Sequence, residues 1–355
     1  MNRIAAGAIV SIAAIMLALF SIDRYLANLE QSELQKEAAG LAQEAQRLLA
    51  SGNAREAVVR YQRAHFLVRT SPDYALGYAQ ALLSAGDVAR ADSIVGEQLE
   101  QNSNDGRANL LMARVTRTKG EASQADSFYH RAIYGVWPNG GAADRERVRL
   151  ELADWLAQRG AKDELLAELL PLQAAARDNP AMGRKVAELL LAAGSPARAA
   201  DQYQALLKTN PTDIVAYRGL GEAELHRGDY GAAQRAFMNA VRHDGTDVES
   251  AKRLQTLGVI VSLDPTPRRL SLPEKCERST RLLARVMDDL SACEPAQAPD
   301  TGGMSANAKG SIITNETAEM DVSRAEQLWR ARPPNCPAAQ QDQPLKFVMD
   351  KLTAQ

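Results

Sequence analysis

The sequence predicts an all-α fold: an α-solenoid of repeated helix pairs, with an N-terminal transmembrane helix and a C-terminal helical cap. Three observations carry this expectation. A glycine followed by a helix-starting residue recurs at positions 52, 86, 120, 160, 194 and 228, in steps of 34, 34, 40, 34 and 34. Small residues stand at fixed offsets on both sides of these glycines. Residues Ile4 to Phe20, "IAAGAIVSIAAIMLALF", run without a charge.

Composition sets the frame. Of 355 residues, 45% are hydrophobic but only 5% aromatic, so packing must rely on Ala, Leu and Val. Lys and Arg total 42 against 44 Asp and Glu, a formal charge of −2. That balance argues against bulk nucleic-acid binding, which needs many cations to neutralise phosphates. The three cysteines, Cys276, Cys293 and Cys336, form no CxxC pair, which argues against a zinc site.

The first element is the apolar run. At about 1.5 Å per residue, Ile4 to Phe20 spans roughly 26 Å, and Ser21-Ile22 can extend it, which suits one bilayer crossing. Small residues for a cleavage site are missing where they would be needed, since Phe20 and Tyr25 stand there. The reading is an uncleaved signal-anchor over residues 1–28, followed by a linker or the start of the first helix over 29–37. Arg3 and the amino terminus on one side, against Asp23 and Arg24 on the other, favour a cytoplasmic N-terminus and a body outside the cytoplasm.

The repeat comes next, over residues 38–262. Each glycine fits the left-handed position that ends a first helix. Asn53, Asp87, Ser195 and Asp229 are placed to cap the second. Seven residues before each glycine stand Ala45, Ala79, Ala113, Ala153, Ala187 and Gly221. Five after it stand Ala57, Ala91, Ala125, Leu165, Ala199 and Ala233. Nine after it stand Tyr61, Val95, Tyr129, Leu169, Tyr203 and Phe237, and twelve after it Ala64, Ala132 and Ala240 recur. Small residues let paired helices approach closely, and the aromatic column fills the gap to the next pair.

At these residues the chain resembles the tetratricopeptide repeat (TPR) family, and its layout is similar to the membrane-anchored bacterial type. Tyr217, Leu220, Gly221, Ala233, Phe237 and Ala240 of the sixth repeat occupy the family's signature places, and Pro211 ends the fifth. The resemblance implies a right-handed solenoid of about six repeats plus a packing helix. Repeat four departs most, with Leu165 in a small position. Its excess of six residues falls around "VWPNGGAAD", where Trp137 is read as covering the joint between repeats three and four, or as an exposed contact.

Beyond the repeats, residues 263–295 read as a capping helix opened by Ser271 and Glu274, with Cys276, Ser279, Leu283, Val286, Leu290 and Cys293 on one face. Such a face closes the exposed end of an array. Residues 296–322 read as a flexible linker. Residues 323–355 read as short helices, one opened by Ser323 and Glu326, the other presenting Leu345, Val348 and Leu352 on one side. Cys276 and Cys293, on one helix, lie roughly 25 Å apart and cannot bond. Cys336 then partners one of them or all three are free, and in an oxidising compartment a Cys293–Cys336 disulfide is expected.

No catalytic motif is present: HExxH, GxSxG, GxxxxGK and a complete GxGxxG are all missing. His65, His130, His226 and His243 fall in different helices as surface residues. Arg227-Gly228-Asp229 spells an adhesion tripeptide that the turn already explains. Asp288 and Asp289 are a solvated face. No cofactor, metal or nucleic acid is expected. What the TPR resemblance implies instead is a concave groove lined by first helices that binds a protein or peptide partner. Here it would carry Arg107, Leu110, Arg114, Arg117, Arg147, Asp154, Arg184, Glu188, Arg218 and Glu222. Arg184–Glu188 and Arg218–Glu222 would pair along their own helices. Arg107, Arg114, Arg117 and Arg147 lack such partners and would receive a carboxylate. The asparagines of the family's chaperone-tail clamp are missing. The expected function is therefore a membrane-anchored, non-enzymatic scaffold in an envelope-associated complex. The alternatives are an enzyme or enzyme subunit with a site in the C-terminal region, and a spacer without a specific ligand.

Overall fold

A computed structural model describes residues 3–293, 314–332 and 343–353; the side chains of residues 3–15, Ala18, Ala27, Asn139, Ala292 and Cys293 lie outside it. Among the described residues the fold is all-helical, with 16 α-helices, one short 3-10 turn at Pro138–Gly140 and no strand. The chain divides into two compact units, Met1–Leu152 and Ala153–Gln355.

The first unit holds α1 (Arg3–Ala50), α2 (Ala54–Leu67), α3 (Pro72–Ser84), α4 (Val88–Gln101), α5 (Gly106–Lys119), α6 (Ala122–Tyr134) and the first part of α7 (Ala142–Arg159). Helices pair as α1 with α2, α3 with α4 and α5 with α6. The 48-residue α1 runs without interruption through residues 29–37, where a linker was an option. Its last turns pack: Ala38 and Ala45 are fully buried, and Glu37 and Glu44 meet Arg63 and Arg60 of α2 at 2.8 and 2.9 Å. Its earlier turns do not. Met16, Leu17, Leu19, Phe20, Ile22, Tyr25, Leu26 and Leu29 are all exposed. No helix among the described residues is long and apolar enough to cross a membrane, so the transmembrane helix expected over residues 4–20 is not supported. The side chains of its first dozen residues lie outside the described set.

All six turn glycines have a left-handed backbone, with φ from 70° at Gly160 to 87° at Gly86. A residue with a β-carbon is strained there, and glycine is not. In every turn the next residue's N–H reaches back to a carbonyl five residues earlier, from Asn53 to Leu48 at 2.8 Å through to Asp229 to Glu224 at 3.0 Å. That bond satisfies a helix-end carbonyl and is the Schellman closure. Of the four expected caps, Asp87 and Asp229 accept a backbone N–H from Arg90 and Ala232, whereas Asn53 and Ser195 make no such bond. Caps also stand at Asp105, Asn179, Asp213 and Asp247, each opening the first helix of a pair or the helix after the last pair.

The small and aromatic columns are core. Ala45, Ala79, Ala113, Ala153 and Ala187 are sealed from solvent, as are Ala57, Ala91, Ala125, Ala199 and Ala233. Tyr129, Leu169 and Phe237 fill the gaps beside them. Trp137 is buried rather than exposed: its indole N–H donates to the Ala132 carbonyl at 2.7 Å, and its ring lies against Gly106 and Gly141.

The second unit holds the rest of α7, then α8 (Lys162–Ala175), α9 (Pro180–Ala192), α10 (Pro196–Thr209), α11 (Ile214–Arg227), α12 (Tyr230–His243), α13 (Val248–Leu263), α14 (Leu272–Cys293), α15 (Asn315–Arg330) and α16 (Gln343–Thr353). Leu165, the misfit of repeat four, is buried. On α14, Ser279, Leu283 and Val286 are buried against α13, α15 and α16, as a closing face requires. The start of α15 differs from expectation. Thr314 and Thr317 form the reciprocal capping box, so the helix begins nine residues earlier, and Ser323 and Glu326 lie inside it. The linker read over 296–322 therefore includes a helical end, and its residues 296–313 lie outside the described ones. Cys276 is a free thiol within reach of the Thr314 carbonyl at 3.4 Å. Cys336 and the Cys293 side chain are outside the described residues, and with them the expected disulfide.

Candidate functional site

The first helices carry two columns that meet across neighbouring repeats. One stands six residues before each turn glycine: Gln46, Gln80, Arg114, Asp154, Glu188 and Glu222. The other stands nine before: Gly77, Leu111, Glu151, Lys185 and Gly219. Position six of one repeat faces position nine of the next. In the first unit Arg114 binds Glu151 in a two-pronged contact, Nε at 2.9 Å and Nη2 at 2.6 Å. In the second unit Asp154 meets Lys185 at 2.9 Å and Glu222 meets Arg253 at 2.6 Å. These are rungs of a charge ladder built on the repeat.

The cations expected to await a partner's carboxylate are thus already engaged. Arg107 pairs with Asp73 and with Asp105, the latter at 3.2 Å. Arg114 holds Glu151 and also donates to Gln80 at 3.1 Å. Arg117 lies 3.9 Å from Glu151 and donates to the Tyr129 hydroxyl at 3.2 Å. Arg147 binds Asp144 at 2.6 Å on its own helix. Leu110 is buried and contributes packing, not groove surface. The along-helix pairs Arg184–Glu188 and Arg218–Glu222 are replaced by pairs with the next first helix: Arg184 with Asp213 at 2.8 Å, and Arg218 with Asp247 at 3.8 Å. Asp213 and Asp247 are buried caps, and a buried carboxylate recruits the cation in reach.

The ladder sets the electrostatics. Burial pushes the Glu151 carboxyl up, but the Arg114 hydrogen bonds and charge outweigh it and hold the group below the ordinary carboxylate range. The Tyr129 hydroxyl donates to Glu151 at 2.9 Å, and burial with that neighbouring charge drives its ionisation far upward. Burial, then the charges of Glu188 and Glu222, push Tyr203 up to about 12.

Three places on the ladder carry no ion pair: Gln80 opposite the apolar Leu111, and two where position nine is glycine, each of which leaves a cavity. Where position nine is glycine, the tyrosine of the preceding second helix slides under it. A β-carbon on Gly77 would collide with the Tyr61 ring, and one on Gly219 with the Tyr203 ring. The first unit has a pocket of about 660 Å³ there, lined by Gln43, Gln46, Tyr61, Tyr74 and Gly77. The second has a pocket of about 430 Å³ whose lining includes Glu188, Tyr203, Val215, Gly219 and Glu249, and also Arg184, Lys185, Arg218 and Arg253, each of which already meets a carboxylate within the chain. In the second, Glu188 faces no cation at position nine and meets Lys185 of its own helix at 3.7 Å. Gly77, Gly219, Tyr61, Tyr203, Glu151, Lys185, Glu249 and Arg253 were not among the expected groove residues. Reading position nine in repeat register, rather than helix by helix, is the signal that finds the glycine gaps and the ladder.

Solved structures with similar helix arrangements include YrrB, a TPR protein with an unusual peptide-binding site, at 16% identity and TM-score 0.42, covering 55% of this chain and 97% of that one. Pseudomonas aeruginosa pilF follows at 14% and 0.34, covering 65% and 85%. A tetratricopeptide repeat protein from Parabacteroides merdae stands at 12% and 0.34, covering 88% and 99%. All three superpositions are loose. No curated protein matches the chain. The tetratricopeptide repeat family profile matches residues 48–115 and 190–257, which hold four of the six turn glycines, Gly52, Gly86, Gly194 and Gly228, and so supports the tetratricopeptide repeat family for this chain.

Proposed function

We propose that the chain is a membrane-anchored scaffold in an envelope-associated complex, with its repeats outside the cytoplasm, and that the second unit's groove holds an extended segment of a protein partner. The observation that carries the groove is the missing rung at Gly219. It leaves the Glu188 carboxylate, the exposed Glu249 and the tip of Tyr203 around one cavity, whose cations Arg184, Lys185, Arg218 and Arg253 are each held by a carboxylate of the chain itself. A lysine or arginine of the partner fits that set: its charge meets Glu188 and Glu249, and its aliphatic stem lies along Tyr203 and the half-exposed Val215. The expected partner chemistry is thus basic at this site, the reverse of the acidic ligand that the arginines suggested.

The anchor rests on α1. At 100° per residue, its exposed apolar side chains from Met16 to Leu29 point in all directions around the helix. A protein partner covers one stripe of a helix, whereas lipid surrounds it. Cross-linking in native membranes tests both halves. The wild type should stay with membranes after alkaline carbonate washing and capture one discrete partner. Glu188→Lys with Glu249→Lys should abolish capture and leave membrane retention intact. Capture that survives the double reversal would remove the groove. Release of the wild type by carbonate would remove the anchor.

A further inference from the structure

The helix α16 occupies a site built by residues far from it in sequence. Leu345, Val348, Met349 and Leu352, at i, i+3, i+4 and i+7, are all buried. They cover an apolar floor that includes Leu257, Ile260 and Leu263 of α13 with Leu282 and Val286 of α14. Two polar contacts set the register. The Lys351 ammonium meets the buried Asp264 carboxylate at 2.9 Å, and the Tyr230 hydroxyl donates to the Phe347 carbonyl at 2.9 Å. Lys351 also lies 4.7 Å over the Tyr230 ring, with its stem against Gly228.

The receptor half of this site is held independently of α16. The other Asp264 oxygen accepts from the Thr266 N–H at 3.0 Å and its hydroxyl at 2.8 Å. Arg278 donates to the Asp264 and Val261 carbonyls at 3.2 and 2.6 Å. Without α16, the floor would present a fixed carboxylate among apolar side chains, which calls for another helix with a cation at the same place. The occupant is weakly committed to its own fold. It has 11 residues, below the roughly 12–15 at which an isolated helix persists in water, so its helix depends on docking.

We propose that this floor is a helix-exchange site. It accepts from a partner protein an amphipathic helix with apolar residues at i, i+3, i+4 and i+7 and a lysine or arginine at i+6, and α16 is the occupant in cis that such a helix displaces. The site is separate from the Gly219 groove and does not depend on it. Its chemistry follows the general mode in which a groove reads an amphipathic helix through anchors at this spacing.

The test uses the full chain and a fluorescein-labelled synthetic peptide of residues 343–353. In a Val348→Asp chain, α16 is undocked and the peptide should bind saturably, at least tenfold tighter than to the wild type, whose floor is filled. A Lys351→Ala peptide should bind at least tenfold more weakly, and a Val348→Asp peptide not at all. Equal binding to both chains, or no binding to a Val348→Asp chain that keeps its helix content, would overturn the proposal. Should that variant lose its fold, hydrogen exchange on the wild type decides. Amides of α16 that exchange well before those of α13 support exchange, and amides that open only with the whole unit refute it. Dimers of the wild type that Val348→Asp abolishes would assign the floor to a second copy and overturn the foreign partner.

Discussion

Replacing Glu151 by alanine is the sharpest test of the charge ladder. The carboxylate accepts two bonds from Arg114 and one from the Tyr129 hydroxyl, and the Arg114 and Glu151 side chains are only 29% and 22% exposed. The substitution leaves Arg114 with Gln80 alone among its charged and polar partners. Removing one partner of a fully buried pair costs about 3–5 kcal/mol, and the residual solvent contact here lowers that to about 2–3 kcal/mol. For a unit of about 150 residues this shifts the melting midpoint down by about 5–10 °C. Thermal unfolding of the full chain, followed by circular dichroism, measures it. A double-mutant cycle with Arg114→Ala should return a coupling of about 1.5 kcal/mol or more. The pH dependence has a defined sign. Because Glu151 is held below its ordinary 4.5 in the folded chain, its stabilisation is complete above that value. It is lost as pH falls through the depressed value, so the two melting curves should converge in acid. A cost under about 0.5 kcal/mol, or zero coupling to Arg114, would show that the pair behaves like an ordinary surface ion pair and that the ladder does not hold the repeats together.

The turn glycines and the gap glycines should respond differently. Gly52, at φ 82° with open space around it, should lose about 1–2 kcal/mol on Gly52→Ala from backbone strain alone, and less on Gly52→Asn, by denaturant melts. Gly219→Leu forces the Tyr203 ring from its seat, so it should cost about 1–3 kcal/mol and close the groove; a stabilised variant would refute that seat. Tyr203, raised to about 12 from an ordinary 10, contributes stability that is complete below pH 10 and lost as pH rises through 12. Alkaline difference spectra of Tyr203→Phe should therefore lose the amplitude of one tyrosinate near pH 12, while the buried Tyr129 and Tyr230 still ionise late. For the cysteines, Cys293–Cys336 remains the expected bond, since Cys276 shares α14 with Cys293 and is free. It would close a loop of roughly 44 residues and contribute on the order of 4 kcal/mol. Non-reducing peptide mapping that links Cys276, or finds three alkylatable thiols, would sink it.

The period was legible because each turn uses one backbone device, and only glycine supplies it without strain. The columns at −7, +5, +9 and +12 followed from it, down to the buried Leu165 of the poorest repeat. The start of α15 was not legible because its capping box is Thr314 with Thr317, whereas the usual box carries Glu or Gln in the second place. Likewise α16 showed its apolar face in Leu345, Val348 and Leu352, but its receptor is assembled from α12, α13 and α14, which no local pattern joins to it.

The ladder was hidden for a different reason, and that reason bears on what the groove can bind. Its rungs lie between repeats, at the period less three: 154 to 185 and 222 to 253 are 31 apart, and 114 to 151 is 37 across the long step of 40. Pairing rules for a single helix look three or four residues away and cannot see them. The sign also alternates. Arg114 faces Glu151, but Asp154 faces Lys185 and Glu222 faces Arg253. A column sorted by residue type therefore looks like a random mixture of Gln, Arg, Asp and Glu, although the product of charges across each occupied rung is always negative. The geometry fixes the rung and leaves its polarity free. A charge at position six is consequently spent within the chain wherever position nine of the next repeat opposes it, and it is open to a ligand only where that place is glycine. By this rule Arg114 is spent within the chain and Glu188 is left open, so the groove proposed for the second unit would take a basic rather than an acidic ligand.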